Sequence, residues 1–334
     1  MAAKKKGANK KKTAKSYTPV NRFLRFKITN DSNGDTERSF FLDIGEQLSK
    51  LNRRLYRQGK VYQIANISIT STNTPNGFVS FSTAPDTWVT RAAWNRGFKM
   101  YQAMNKKVLD LPGTNVRKGR WDDFKIFLSE DHLNALSTQN PDCIDNENVE
   151  VASGQWNATH FVSPDQTAGS DEFTAHLLGD HDGQVGSWSS ISLIKSYGDS
   201  RPTVSDDTPM MDSNGHADPL FNLFDDGETV HEIAENLDQK GDDPPYSLMS
   251  GGNVATIGNQ YPGSFGNMPN PIVNRMATIG TQGGVAAPTV MLPGFPVICG
   301  LLEIEAKSSL AADEFDIIIE LAPGNYKGVA AFDI

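Results

Sequence analysis

Acidic residues are absent from the first 30 positions of the chain, although ten lysines and arginines lie there. The first carboxylate is Asp31, and residues 28–334 hold 21 basic and 40 acidic side chains, a net charge of −19. The overall net charge of −9 is therefore the sum of a polycationic segment at residues 1–27 and a polyanionic remainder. A polycationic segment binds polyanions, and nucleic acid is the first candidate among these.

Cysteine is also scarce, since Cys143 and Cys299 are the only two. Two cysteines cannot complete a zinc site by themselves and provide no disulfide framework, so we expect a reducing folding compartment. The longest apolar runs, such as residues 290–302, contain proline and glycine and are too short to cross a bilayer. No apolar segment of a secretory signal follows the basic start. We therefore expect neither secretion nor membrane insertion.

Recognisable catalytic motifs are missing as well. The sequence has no G-x-S-x-G elbow, no Walker A loop, no H-E-x-x-H pair and no dinucleotide-binding fingerprint. It also lacks zinc-finger spacing, a homeodomain-like helix and an RNP aromatic signature, which read specific bases. We expect no enzymatic activity, no catalytic residue and no cofactor. Binding without base specificity suits packaging of nucleic acid better than regulation.

Residues 1–19 have no apolar periodicity, and we interpret them as a disordered, lysine-rich arm that binds nucleic acid. Residues 20–334 then form one domain with long surface loops at about 199–294, a stretch rich in Asp, Gly, Pro, Ser and Asn. The candidate nucleic-acid-binding residues are the basic side chains of the arm and of the segment just after it: Lys4, Lys5, Lys6, Lys10, Lys11, Lys12, Lys15, Arg22 and Arg25.

Short strands dominate the rest of the chain, with a few helices between them. Apolar spacing predicts helices over 43–58, with Asp43 as the N-cap and Gly59 at the stop, and over 87–109, with an acidic helix over 228–238. Alternation and β-branched residues predict strands at 22–29, 61–72, 77–83, 123–129, 156–163, 172–178, 188–197, 295–306 and 314–321. This pattern predicts an all-β fold, a β-sandwich of jelly-roll type with inserted helices.

Positive charge continues beyond the arm, on predicted helices and loops. This second set comprises Arg53, Arg54, Arg57, Lys60, Arg91, Arg96, Lys99, Lys106, Lys107, Arg117, Lys118 and Arg120. If both sets line one surface, the molecule has a basic inner side and an acidic outer side. The alternatives are a solvated surface for the second set, and a nuclear localisation signal or solubility tail for the arm. Trp121, flanked by basic residues, is the candidate for stacking on bases.

Two groups of side chains resemble metal sites. The segment HLLGDHD contains His176, Asp180, His181 and Asp182, but zinc needs a further ligand, such as His160 or His231. The acidic pairs could bind calcium at subunit contacts, although none has EF-hand spacing. These pairs are Asp206/Asp207, Asp225/Asp226 and Asp242/Asp243. Solvated loop residues are the alternative in both cases, and we expect no metal site.

The tail KKKGANKKKTAK, the strand RFLRFKIT directly after it and the long polar loops resemble viral jelly-roll capsid proteins. More narrowly, the layout is similar to capsid proteins of small circular single-stranded DNA viruses that encode a replication initiator, including environmental and marine ones. The resemblance implies an icosahedral shell of identical subunits around a single-stranded genome, with Lys4 to Lys15 facing that genome. It places the protein in the virion, and in the host nucleus during assembly.

The arm also departs from this family. Many circovirus capsid proteins have long, arginine-rich arms, whereas this arm is short and consists mainly of lysine. The capsid protein of a small single-stranded RNA virus is therefore one alternative function. The others are a non-viral nucleic-acid-binding β-sandwich and a carbohydrate-active or metal-dependent β-sandwich enzyme that uses the His176–Asp182 cluster. The host receptor and the number of subunits in the shell are not encoded in any pattern of the sequence.

Overall fold

The computed structural model of the protein describes residues 19–71, 76–109, 124–151, 156–165, 169–184, 187–200, 269–282, 285–286 and 289–334. The strands are β1 (Phe23–Thr29), β2 (Arg38–Asp43), β3 (Lys60–Ser71), β4 (Gly77–Thr83), β5 (Phe161–Asp165), β6 (Gly169–His176), β7 (Asp182–Gln184), β8 (Ser187–Ser192), β9 (Ile272–Ile279), β10 (Thr281–Gln282), β11 (Val285–Ala286), β12 (Thr289–Pro293), β13 (Pro296–Val297), β14 (Leu301–Ser308), β15 (Glu314–Leu321), β16 (Pro323–Gly324), β17 (Gly328–Val329) and β18 (Ala331–Asp333). The helices are α1 (Ile44–Asn52), α2 (Trp88–Leu109), α3 (Glu130–Leu133) and α4 (Leu193–Asp199), with 3₁₀ turns at Ser137–Gln139 and Ile298–Gly300.

Helix α1 begins where the sequence predicts. The Asp43 carboxylate caps its first turn by accepting a hydrogen bond from the Glu46 backbone N–H at 3.2 Å. The helix ends early, because Arg53 adopts a left-handed φ of 53° well before the predicted stop at Gly59. Helix α2 confirms the prediction over 87–109. None of the helices in the described part of the chain has both the length and the hydropathy needed to cross a membrane.

Eight of the strands form two antiparallel sheets. In the first sheet the order is β1–β15–β3–β12, and in the second it is β2–β14–β4–β9. The short strands β13 and β18 pair with the beginning of the long β3. The antiparallel sheets form a curled half-barrel that is compatible with a β-sandwich. The prediction of a mainly β fold with inserted helices is therefore confirmed.

The pairing of these eight strands is nested. The first pairs with the last, since Phe23 of β1 lies opposite Glu320 of β15, and β2 pairs with β14 inside that pair. Next, β3 pairs with β12 and β4 with β9. Additional pairing of β15 with β3 and of β14 with β4 joins these pairs into the two sheets. The chain thus runs out and back as one long antiparallel hairpin that is folded over itself.

The main hydrophobic core contains residues from both sheets. The apolar residues at alternate positions of β15, from Phe315 to Leu321, are fully buried and pack with side chains of β1, β3, β4 and β14. Burial of a side chain of this size stabilises the fold by about 1.5–3 kcal/mol. Cys143 lies in this core as a free, buried thiol, and Cys299 is a free, buried thiol in a second core.

That second core is built by the segment between β4 and β9. Helix α2 packs on α4, beside a small sheet of order β5–β6–β8–β7 in which β6 and β8 are parallel. Trp94, Phe124, Phe161 and Phe173 form a connected set of ring contacts there. Phe41 of β2 belongs to the same core, so the inserted segment packs directly on the second of the two large sheets.

Three strand predictions within this inserted segment differ from the structure. The strand predicted at 156–163 begins only at Phe161. In the described part of 123–129, the only β pairing is an isolated bridge between Phe127 and His176. The predicted strand at 188–197 ends at Ser192, where α4 begins. The Ser192 hydroxyl accepts a hydrogen bond from a backbone N–H in the first turn of α4 at 3.3 Å. A local serine cap therefore overrides the strand pattern of the apolar residues that follow it.

The predicted loop at about 199–294 is wrong near its end, because β9 and β12 are strands. These two are the outer strands of their sheets, and most of their side chains are exposed or half-buried. Their sequences therefore lack the buried alternation by which a strand is recognised. The predicted acidic helix at 228–238 lies outside the described residues.

Candidate nucleic-acid interface

The structure places two of the nine predicted nucleic-acid-binding residues, since the seven lysines of the arm lie outside the described residues. Arg25 extends from β1 to β15, where its Nε donates to both carboxylate oxygens of Asp316 at 3.0 Å. Arg22 donates through Nη1 to the Leu321 carbonyl oxygen at 2.8 Å and lies 3.9 Å from a Glu320 carboxylate oxygen. Both arginines therefore fasten β1 to β15.

These partners balance the charge that β1 could otherwise offer to a nucleic acid. Hydrogen bonding to Asp316 raises the pKa of the Arg25 guanidinium. Lys27, on the same strand, lies 2.7 Å from a carboxylate oxygen of Glu314. That Arg22 and Arg25 bind nucleic acid stays a prediction, and the structure gives each of them an internal partner.

The start of the described chain is held against the end of helix α1. The Asn21 backbone N–H donates to the Asn52 side-chain oxygen at 2.8 Å, and the Asn52 amide donates to the Asn21 carbonyl oxygen at 2.9 Å. This reciprocal pair fixes where the chain enters β1. The entry point lies directly beside the arginines that follow Asn52 in sequence.

A cluster of exposed positive charge occupies this position. Arg53, Arg54 and Arg57 lie in the turn after α1, and Lys327 lies in the turn between β16 and β17; we call these four residues the basic cluster. The pKa of Lys327 is lowered by partial burial and by the positive charges of Arg57 and Arg54. Its ammonium lies 5.6 Å from the ring centroid of Tyr326. The cations from these two distant segments are therefore close enough to repel one another.

The basic cluster has few counter-charges. Among the described residues, no carboxylate forms an ion pair with Arg54, Arg57 or Lys327. Cations that repel one another and lack a carboxylate partner gain electrostatic energy when a polyanion binds. A phosphate backbone of single-stranded nucleic acid can supply that charge without base recognition.

Sequence reasoning identified three members of the cluster and missed Lys327. Its ammonium donates a hydrogen bond to the carbonyl oxygen of Leu55, which is 272 residues away in sequence. No local pattern around Lys327 signals this contact. Only the strand pairing near the end of the chain brings the two segments together.

The basic residues of α2 are placed differently. Arg91 forms a bidentate ion pair with Asp86, at 2.6 and 2.9 Å. Arg96 donates to the hydroxyl and the carbonyl oxygen of Ser196 at 2.9 and 3.2 Å, which joins α2 to α4. Among the side chains of this helix that the structure describes, the exposed lysines are Lys99 and Lys106. The described arginines of the second set therefore divide into structural arginines on α2 and exposed arginines after α1.

The cluster at 176–182, whose sequence resembles a metal site, serves the local turn. His176 is buried, and its ring nitrogens are hydrogen-bonded to the Ser190 hydroxyl at 2.8 Å and to the Asp180 carbonyl oxygen at 2.6 Å. Burial lowers the pKa of His176 to about 4, so its ring is neutral at pH 7. The Asp180 carboxylate pairs with Lys195. Within the described residues, no three His, Cys, Asp or Glu side chains converge on a metal position.

Several other predicted residues lie outside the described ranges and stay predictions. These are Trp121, Arg117, Lys118, Arg120, His231 and the acidic pairs Asp206/Asp207, Asp225/Asp226 and Asp242/Asp243.

A buried carboxyl group borders a polar cavity of about 500 Å³. Asp43 accepts hydrogen bonds from the Gln58 amide and the Trp156 indole N–H, each at 3.0 Å, in addition to its capping bond to Glu46. Burial nevertheless raises the pKa of Asp43 to about 7, since it outweighs these bonds. Each contact holds a neighbouring segment in place, so the carboxyl group has a structural role.

Comparison with known proteins assigns no function to these residues. No protein-family model, curated protein or solved structure matches the chain. Functional inference therefore depends on the strand pairing and on the placement of the charges.

Proposed function

We propose that the protein is the subunit of an icosahedral viral capsid with a jelly-roll fold, which packages single-stranded DNA through its basic arm. The nested pairing of eight strands is the observation that carries this proposal. A jelly roll consists of eight antiparallel strands in two sheets with Greek-key connections. The sheet orders β1–β15–β3–β12 and β2–β14–β4–β9 support this fold, because the first strand pairs with the eighth, the second with the seventh, and so inward.

The charge distribution supports the packaging role. The lysines of the arm precede β1 in sequence, and the chain enters β1 beside the basic cluster, next to the Asn21–Asn52 pair. One strand of nucleic acid can therefore contact the arm and the cluster together. Such contacts neutralise phosphates and release counterions, so the affinity falls steeply with salt and depends little on sequence.

Copy number makes the arm effective. In a closed shell of about 60 subunits, the seven arm lysines of each copy neutralise on the order of 400 phosphates. The excess of acidic residues in the rest of the chain gives such particles a repulsive exterior, which keeps them apart in solution. The partners of the chain are then other copies of itself and the genome that it encloses.

The choice of DNA rests on the resemblance to capsid proteins of circular single-stranded DNA viruses. Lysine contacts phosphates, which DNA and RNA share, whereas the 2′-hydroxyl distinguishes the two. Nuclease digestion of the packaged nucleic acid therefore decides between a DNA virus and an RNA virus. The proposal places the protein in the virion.

Negative-stain electron microscopy of the purified protein, with absorbance at 260 and 280 nm read on the same fraction, tests this function. We expect uniform spherical particles tens of nanometres across, with excess absorbance at 260 nm. After disassembly and DNase digestion, gel filtration should separate that absorbance from the protein. Monomers or dimers that bind nucleic acid but never form particles would support the non-viral binding module. Small species free of nucleic acid at every salt concentration would contradict both functions.

A further inference from the structure

A small groove opens beside the basic cluster, between the beginning of β3 and helix α2. It encloses about 210 Å³. Its lining combines two cations, Arg57 and Lys60, with two aromatic side chains of α2, Trp94 and Phe98. We call it the aromatic groove. It shares Arg57 with the basic cluster, so the two features form one continuous surface.

The aromatic side of the groove is formed before any ligand binds. The rings of Trp94 and Phe98 are stacked, with centroids 5.1 Å apart and planes inclined by 25°. Phe124 packs edge-on against Trp94, with centroids 5.7 Å apart. Gly59 permits this arrangement, because a Cβ atom at that position would lie 2.1 Å from the Trp94 ring. The half-buried Phe98 ring therefore offers a fixed platform.

Trp94, which lines the groove, has a buried polar group without a partner. Trp94 is only 7% exposed, and its indole N–H is buried with no hydrogen-bond acceptor among the described residues. A buried donor without an acceptor is costly, and such groups usually find a partner. Because this N–H is buried, the groove presents the Phe98 ring and the two cations to a ligand.

We propose that the aromatic groove binds one base of the packaged single-stranded nucleic acid, with the adjoining phosphate on Arg57 and Lys60. This inference rests on the proposed function, since it assigns an ordered contact to the same nucleic acid that the arm holds. Stacking of bases on aromatic side chains beside cations is how proteins bind single strands without sequence preference. The shell domain itself thus positions the genome, in addition to the arm.

One of the two cations that would bind the phosphate, Lys60, already has a carboxylate partner. The Lys60 ammonium pairs with Asp333, whose side chain is 87% exposed. An ion pair with such an exposed partner is weak, and a phosphate group can replace it. The substitution Asp333→Asn should therefore tighten binding of a short oligonucleotide about two- to threefold by freeing Lys60.

Photochemical cross-linking tests the site directly. The full-length protein is irradiated with a DNA hexamer of 5-iododeoxyuridine, and the modified peptides are mapped by mass spectrometry. We expect cross-links on α2 at Trp94 or Phe98, as well as on the arm. Cross-links confined to the arm would overturn the aromatic groove and leave the packaging function standing. A hexamer that does not bind at all would overturn both.

Matched variants separate base stacking from charge. The hexamer is compared with an abasic hexamer of the same charge, by anisotropy, on the wild type, Phe98→Leu, Arg57→Gln and the control Lys307→Gln. We expect the preference for the base-containing hexamer, about fivefold in the wild type, to disappear in Phe98→Leu. Arg57→Gln should weaken both hexamers, and Lys307→Gln neither.

Should Phe98→Leu prove unfolded by circular dichroism, Arg57→Gln still decides the question, because Arg57 is exposed and lies in a turn. An unchanged affinity of that variant for both hexamers overturns the proposal. So does a wild type that binds the two hexamers equally well.

Discussion

Arginines lie at the start of strand β1 and in the turn after helix α1, but the two groups differ in their partners. The guanidinium of Arg25 is held by Asp316, and that of Arg22 by the backbone and a carboxylate of β15. In the turn, Arg54 and Arg57 face Lys327 instead, and in the described residues no carboxylate pairs with them. The first pair strengthens the sheet, and the second leaves charge available.

The difference teaches that a count of basic residues is a poor guide to a nucleic-acid interface. A cation with a carboxylate partner must lose that partner before it can bind a phosphate. A cation that has only other cations nearby gains electrostatic energy as soon as the phosphate binds. The basic cluster is therefore the stronger candidate within the described domain, although both segments look alike in sequence.

Neutralising the arm should have the largest effect. We expect replacement of its seven lysines by glutamine to abolish packaging, as should deletion of residues 1–16, because most of the charge that offsets the genome is removed. The domain should still fold, since the buried residues of both hydrophobic cores all follow residue 16 in sequence. The ratio of absorbance at 260 and 280 nm measures the loss. Seven lysine-to-arginine replacements are the control, and packaging by the glutamine variant would contradict the role of the arm.

The double variant Arg54→Gln/Arg57→Gln should have the next largest effect. We expect its affinity for single-stranded DNA to fall several-fold, and the slope of log affinity against log salt to become shallower by about 1.4. Filter binding over a salt series measures both. The control, Lys27→Gln/Lys307→Gln, removes the same charge from lysines that have carboxylate partners. Equal losses in the two variants would remove the distinction between paired and unpaired cations.

Helix α1 provides a third test, because its N-terminal cap is a buried carboxyl group. Burial raises the pKa of Asp43 to about 7, compared with about 3.9 in an unfolded chain. The folded protein therefore holds this proton more tightly, and the associated stability is lost as the pH rises from about 4 through 7.

Between pH 6 and pH 8, we expect the wild type to lose about 1 kcal/mol of unfolding free energy relative to Asp43→Asn. Asparagine cannot titrate, and it retains a side-chain oxygen for the Glu46 N–H. Urea denaturation of both proteins at each pH measures the difference. A constant difference across this range would place the pKa of Asp43 near its ordinary value.

Strong local patterns made part of the fold predictable. The alternating apolar residues of β15 and the helical spacing of α2 predict those elements almost residue for residue. The outer strands β9 and β12 could not be recognised, because exposure of their side chains removes the alternation. The strand at 188–197 failed for a different reason, since the hydroxyl of Ser192 starts a helix within it.

The site was predictable only where its residues are neighbours in sequence. Arg53, Arg54 and Arg57 could be grouped from the sequence, whereas Lys327 joins them only through the pairing of distant strands. The partner of Arg25 lies 291 residues away, so its ion pair was equally hidden. Composition thus predicts the sign of the charge on a surface, and the fold decides which charged side chains have a partner.

The smallest expected effect is that of Arg25→Gln, and it bears most directly on the comparison of the two segments. Arg25 and Asp316 are both partly exposed, so the loss of their ion pair should lower the unfolding free energy by only about 0.5 kcal/mol. The slope of affinity against salt should not change, because Arg25 contributes no free charge. The same chemical change at Arg57 should give the reverse result, with stability unchanged and a shallower slope. If Arg25→Gln also weakens binding to DNA, the carboxylates of β15 do not withhold this charge from the genome, and β1 belongs to the interface.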